Sequence, residues 1–122
     1  VEQAMQDALA ITNASINEFT VAPQITPEGN ELPYHEWFIE FEKEPSDLNK
    51  FIEIIDTSLQ KQNSYYFDLI DGKVLQTLKV TPIKEGGFND YMKSVGKLGG
   101  QNKVQRLAND RKVADGLLAF KS

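Results

Sequence analysis

The 122-residue chain contains no cysteine. Disulfides, thiolate metal centres and cysteine nucleophiles are therefore excluded, and cysteine usage gives no clue to redox compartment. It has one histidine, His35, and one tryptophan, Trp37. A single imidazole cannot build a histidine-rich metal centre. A carboxylate-only magnesium site is chemically open, but no spacing argues for one, and no metal ligand is assigned. No apolar run approaches the ~20 residues that a membrane-spanning helix needs. The N-terminus lacks the basic-then-apolar order of a secretory signal. It also lacks an initiator methionine, and Val1 leads directly into a helical pattern. The expectation is a processed start or a piece cut from a longer chain, in a soluble cytoplasmic protein.

What is present is ordinary globular material. Hydrophobic residues make up 40% and charged residues 25%, close to average usage. The length suits a single domain over residues 1–122 with a modest core. The net charge is -5, which argues against a general nucleic-acid binder. The charge is uneven. Residues 93–112 hold Lys93, Lys97, Lys103, Arg106, Arg111 and Lys112 against Asp110, a local +5 that leaves -10 for the rest of the chain. A basic stretch in an acidic protein reads either as a site for a small anion or acidic surface, or as a solvated cationic face.

Residues 2–14 are rich in helix formers, with Ala4, Ala8, Leu9 and Ile11 as a narrow apolar stripe. Residues 17–23, NEFTVAP, read as an extended piece ending at Pro23, and 24–33 as a loop. In YHEWFIEFE, residues 34–42, Trp37, Ile39 and Phe41 alternate with Glu36, Glu40 and Glu42, so the expectation is a strand with one buried face. Phe38 is the exception. Ser46 is the expected N-cap of a helix that buries Leu48, Phe51, Ile52, Ile55 and Leu59. YYFDLI, residues 65–70, is ambiguous: its strand propensity is high, and Asp71-Gly72 is a hairpin-type signal before an expected strand at 73–83. Phe88, Tyr91, Met92 and Val95 suit a short amphipathic helix. A glycine-rich loop follows at 96–102, then a last helix from about Asn109 to Phe120 with Val113, Leu117 and Phe120 inward. The expected fold class is α+β: a small mixed sheet of three to four strands with helices against one face.

Several segments are candidates for chemistry. His35 has the parity of Trp37 and could serve as a general base, but no nucleophile or carboxylate is tied to it. Glu36, Glu40 and Glu42 could pair for acid–base work, but the favoured expectation is the wet side of a sheet. Tyr65, Tyr66 and Phe67 could stack on a ring, or fill a core. The segment GKLGGQNKVQRL, residues 96–107, combines glycines that let amides approach an anion with two cations, Lys103 and Arg106. It lacks the G-x-x-x-x-G-K-[ST] spacing of a Walker-type loop.

That last segment resembles a signature of the auxin-responsive (Gretchen Hagen three) acyl-acid amido synthetases, whose form is Gly-x-x-x-x-Gln-x-Lys-x-Pro-Arg. Gln101, Lys103 and Arg106 fall at the matching places. Further likenesses run in order: NEFTVAP to the extended segment near the domain start, YHEWFIEFE to the first long strand, LQKQNSYY to the Leu-x-x-x-Asn-Ser-x-Tyr helix end, VTPIKEGGF to the strand-to-Gly-x-Phe turn, and NDRKVADGL to the closing helix of bacterial members. There are two departures. Gln105 stands where proline is usual, which loosens the backbone before Arg106, and the segment after Tyr65 lacks basic residues often found there.

The resemblance implies the C-terminal cap domain of an adenylate-forming enzyme. Such enzymes use ATP and Mg2+ to activate a carboxylic acid as an acyl-adenylate, and an amine or amino acid then attacks. The resemblance makes Lys103 the adenylation lysine, Arg106 a supporting phosphate or domain-contact group, and Gln101 and Gly100 nucleotide- or phosphate-facing, with Gln101 as a polar orienter. It also implies an N-terminal adenylation domain on the same chain that binds most of the ATP and Mg2+. No cofactor and no turnover are expected for residues 1–122 alone, and neither nucleic acid nor membrane is an expected partner. A stand-alone α+β small-molecule-binding or interaction module without catalysis remains the alternative.

Overall fold

The computed structural model describes residues 2–24, 32–96, 107–108 and 111–121. Its centre is β2 (Tyr34–Lys43), which pairs antiparallel with β1 (Ser15–Gln24) and parallel with β3 (Lys79–Pro82). The three-stranded sheet has the order β1-β2-β3. It is mixed, as expected. Pro23 sits on edge strand β1 opposite His35, where a missing N–H is tolerated.

Helices cover both faces of the sheet, not one. On the first face, α1 (Glu2–Thr12) and α2 (Leu48–Gln62) press Ala4, Met5, Ala8, Phe51 and Ile55 onto Phe19, Val21, Trp37 and Ile39. Phe19 stacks on Trp37 with centroids 5.7 Å apart. Ile11, expected in the α1 stripe, is 64% exposed. On the second face, α4 (Gly87–Ser94) and α5 (Lys112–Leu117) bring Phe88, Tyr91, Ala114 and Leu117 against Ala22, Phe38 and Ile83. Phe38, the exception to strand alternation, is the centre of this second core. Gly116 makes the α4–α5 approach possible, because a Cβ there would stand 2.4 Å from Cε1 of Tyr91. A short 3-10 turn at Leu118–Phe120 ends the chain beside β3, where Lys84 N donates to Phe120 O.

Two boundaries differ from expectation for local reasons. Asp47, not Ser46, caps α2: its carboxylate accepts from the Lys50 amide at 3.2 Å. YYFDLI folds as helix α3 (Ser64–Asp71), not strand. Asn63 decides this, because its side chain accepts from the amides of Tyr65 and Tyr66 while its own N–H closes α2 onto Leu59 O. Tyr66, Leu69 and Ile70 then face inward at helical spacing. Asp71-Gly72 is a helix end, and the left-handed residue that follows is Lys73, at φ 58°. Residues 74–78 are therefore not strand, Val74 is exposed, and β3 is only Lys79–Pro82.

The glutamates of β2 correct the reading of a wet sheet face. Glu36 and Glu40 are buried at 8% and 6% exposure, and only Glu42 is exposed. Because α4 and α5 cover that face, each carboxylate requires partners. Glu40 accepts from Asn17 Nδ2 at 2.9 Å and from the backbone N–H of Phe88 at 3.1 Å. Helix α4 starts at Gly86, in the left-handed region at φ 78° and with no side chain to cap. Glu40 supplies the missing cap from the neighbouring strand, with its charge at the positive helix end. Glu40→Ala is expected to destabilise the chain by about 2 kcal/mol, whereas Glu42→Ala should change it by less than about 0.5 kcal/mol. Urea unfolding of both variants tests this, and equal effects would restore the solvated-face reading.

Candidate functional site

The segment singled out by charge and glycine content has two ends that the fold holds. Helix α4 delivers the chain to Val95 and to Gly96, the latter at φ 74°. The chain rejoins the sheet at Leu107, in a parallel bridge to Val21 on the outer side of β1, and Ala108 N donates to Val21 O at 2.8 Å. Gly100, Gln101, Lys103 and Arg106 lie outside the described residues. Glu40 fixes the start of α4, and Glu36 fixes the chain just after the segment returns.

Glu36 does so through Arg111, the residue that precedes α5. Arg111 Nη1 lies 2.8 Å from Glu36 Oε1, and the two side chains are 20% and 11% exposed. The Thr81 hydroxyl of β3 donates to the other Glu36 oxygen. Arg111 also reaches Asp115 at 3.3 Å and lies over the Phe38 ring at 5.8 Å. A guanidinium suits this role because its planar fork serves two carboxylates while its face covers an aromatic ring. Arg111 therefore belongs to the interior architecture. Counting charges along 93–112 could not distinguish it from the other cations of that stretch.

The aromatic run divides. Tyr66 is buried, while Tyr65 and Phe67 are exposed at 63% and 44%. The Tyr66 hydroxyl donates to Asp56 at 2.7 Å, and its ring stacks on His35 at 6.3 Å. Burial and the Asp56 carboxylate both raise the Tyr66 pKa, so it stays a neutral donor. His35 is half-buried, on the inward parity expected from Trp37, and burial lowers its pKa. It packs as a neutral ring against Tyr66, and the carboxylate beside that pair is engaged by the phenol. The folded state thus takes up the His35 proton less readily than the unfolded chain. Its stability contribution is complete above the ordinary histidine range and is lost as pH falls through the lowered value. Thermal midpoints should drop between about pH 7 and pH 5. His35→Phe, which keeps a ring on Tyr66, should flatten that slope; an unchanged slope would assign it to other groups.

Among the described residues no group of three or more His, Asp or Glu side chains could hold a metal ion. The buried carboxylates Glu36 and Glu40 are already engaged by Arg111, Thr81, Asn17 and the α4 amide. Among the described residues no helix is long and apolar enough to cross a membrane.

Comparison with known proteins adds the family. No curated protein matches the chain. Two solved structures share its fold. One, described as "AtGH3.15 acyl acid amido synthetase in complex with 2,4-DB", has a TM-score of 0.75 at 16% identity, covering 99% of this chain and 23% of its own. Another, "GH3.15 acyl acid amido synthetase", has a TM-score of 0.76 at 17% identity, covering 99% and 24%. At that identity the likeness speaks for the fold, and the chain spans about a quarter of the length of these structures. The sequence itself matches the GH3 family C-terminal domain over residues 1–112, a span that takes in α1 through α4, the whole sheet and the glycine-rich segment, so the chain belongs to that family.

Proposed function

We propose that this chain is the C-terminal cap of an ATP-dependent acyl-acid amido synthetase, acting with a large N-terminal adenylation domain of the same polypeptide. The observation that carries this reading is the family match over residues 1–112, which includes the segment holding Lys103. In this reading the enzyme adenylates a carboxylic acid in the cytoplasm and passes the acyl group to an amine or amino acid. ATP and Mg2+ are bound mainly by the large domain, in keeping with carboxylates here that already have partners.

The chemistry explains why a cap would carry a lysine. Attack of a carboxylate on the α-phosphate brings two anions together. A positioned ammonium offsets the repulsion and the charge that develops in the transition state. Lys103 takes that role, Arg106 supports the phosphate, and Gln101 and Gly100 orient and admit the anion. Carried on a separate cap, the lysine acts only when the cap closes on the large domain.

In the two-domain protein, Lys103→Ala should lower acid-dependent exchange of pyrophosphate into ATP by about 10²- to 10³-fold. Wild-type exchange would remove Lys103 from the mechanism. Residues 1–122 alone should make no amide, because acid, adenine and metal sites belong to the other domain. Turnover by this chain in isolation would overturn the cap reading.

A further inference from the structure

We infer that the cavity between α1 and α2 is a binding site for a small aliphatic zwitterion, a molecule with one ammonium, one carboxylate and a short branched chain. The inference stands on these two helices and does not rest on the proposed function.

The cavity has a volume of about 310 Å³. That is at the small end of the range for ligand sites and suits a molecule of amino-acid size. Helix α1 contributes Asp7 and Ile11 to its wall, and α2 contributes Ile54, Thr57, Ser58 and Lys61. Ile11 belongs to the stripe expected to face inward, yet it is largely exposed and lines this cavity instead. Ile54 is half-buried beside the first core.

The polar part centres on Asp7. Ser58, itself buried, donates to Asp7 Oδ2 at 2.7 Å, and Gln3 donates to Oδ1 at 2.9 Å. Gln62 donates to the Ser58 hydroxyl at 2.6 Å, so the Ser58 proton is directed at Asp7. The Ser58 bond first, then Gln3 and the Lys61 charge, hold the Asp7 carboxyl below the usual carboxylate range. Two donors leave about two of the four acceptor positions of the carboxylate open. Lys61 is near enough to act on Asp7, yet among the described residues it forms no ion pair. An acid and a base thus line one cavity without closing on each other.

Ile11 lies one helical turn from Asp7, and Ile54 one turn from Ser58, about 6 Å along each helix. The cavity therefore joins a charged part to an apolar part. A ligand with one charge is attracted by one of the two charged groups and repelled by the other. A zwitterion meets both with opposite sign: its ammonium on Asp7, its carboxylate on Lys61 beside the Thr57 hydroxyl. Its aliphatic chain then covers Ile11 and Ile54, and that contact removes apolar surface from water.

The test uses three probes with the same branched chain: L-leucine, isoamylamine, which lacks the carboxylate, and isocaproate, which lacks the ammonium. Isoleucine-methyl NMR of the full-length protein reads Ile11 and Ile54 directly, whatever other sites that protein holds. Leucine should shift both methyls saturably, with a Kd of roughly millimolar order for so small a ligand. Isoamylamine and isocaproate should bind at least roughly fivefold more weakly. Lys61→Met, at an exposed position, should keep the thermal midpoint and weaken leucine by roughly fivefold, as should Asp7→Asn, which retains an oxygen for Ser58. No shift at either methyl, equal binding of the three probes, or undiminished leucine binding by Lys61→Met each overturns the inference. Methyl shifts that follow protein concentration without leucine assign the groove to a second copy, and overturn it as well.

Discussion

A carboxylate on a central strand, covered by helices, must find a partner that folding delivers. For Glu36 that partner is Arg111, 75 residues away in sequence. For Glu40 it is the first turn of α4, 48 residues away. Leaving such a charge buried and uncompensated costs roughly 3–5 kcal/mol, whereas the intact pair adds little over an apolar replacement. The two glutamates therefore select an arrangement more than they stabilise one. They make the second helical layer a condition of a completed sheet. They also fix where that layer sits: α4 is aimed by its capped end, and α5 by the arginine that precedes it. Phe38, Phe88, Tyr91, Ala114 and Leu117 then close the second core around that frame.

How much of this was legible in the sequence depended on whether local pattern and tertiary setting agreed. Helix α2 was readable because Leu48, Phe51, Ile52, Ile55 and Leu59 repeat at helical spacing and Asp47 lies beside the expected cap. Strand β2 was readable from its alternation. Its second face was not, because alternating glutamate is the ordinary sign of solvent, and only the later docking of α4 and α5 makes it interior. Fully apolar Phe38 was the clue: a large aromatic among glutamates implies that their side is covered too. Helix α3 stays ambiguous in the sequence because the strand propensity of YYFDLI competes with Asn63-Ser64, a helix-start signal, and the inward spacing of Tyr66, Leu69 and Ile70. In the basic segment, local charge could not separate Arg111, which pairs with Glu36, from the other cations.

The division of labour follows from the same frame. The titratable side chains that burial makes conspicuous, Glu36, Glu40, Tyr66 and His35, are each engaged in holding elements together. The segment proposed for catalysis is attached to the frame at both ends. This would suit the moving cap proposed above. A lysine can meet a transition state on a second domain only if domain motion, not local slack, determines where it arrives. The sheet and its two helical layers supply the rigidity, and the two buried glutamates carry it to either end of the lysine segment.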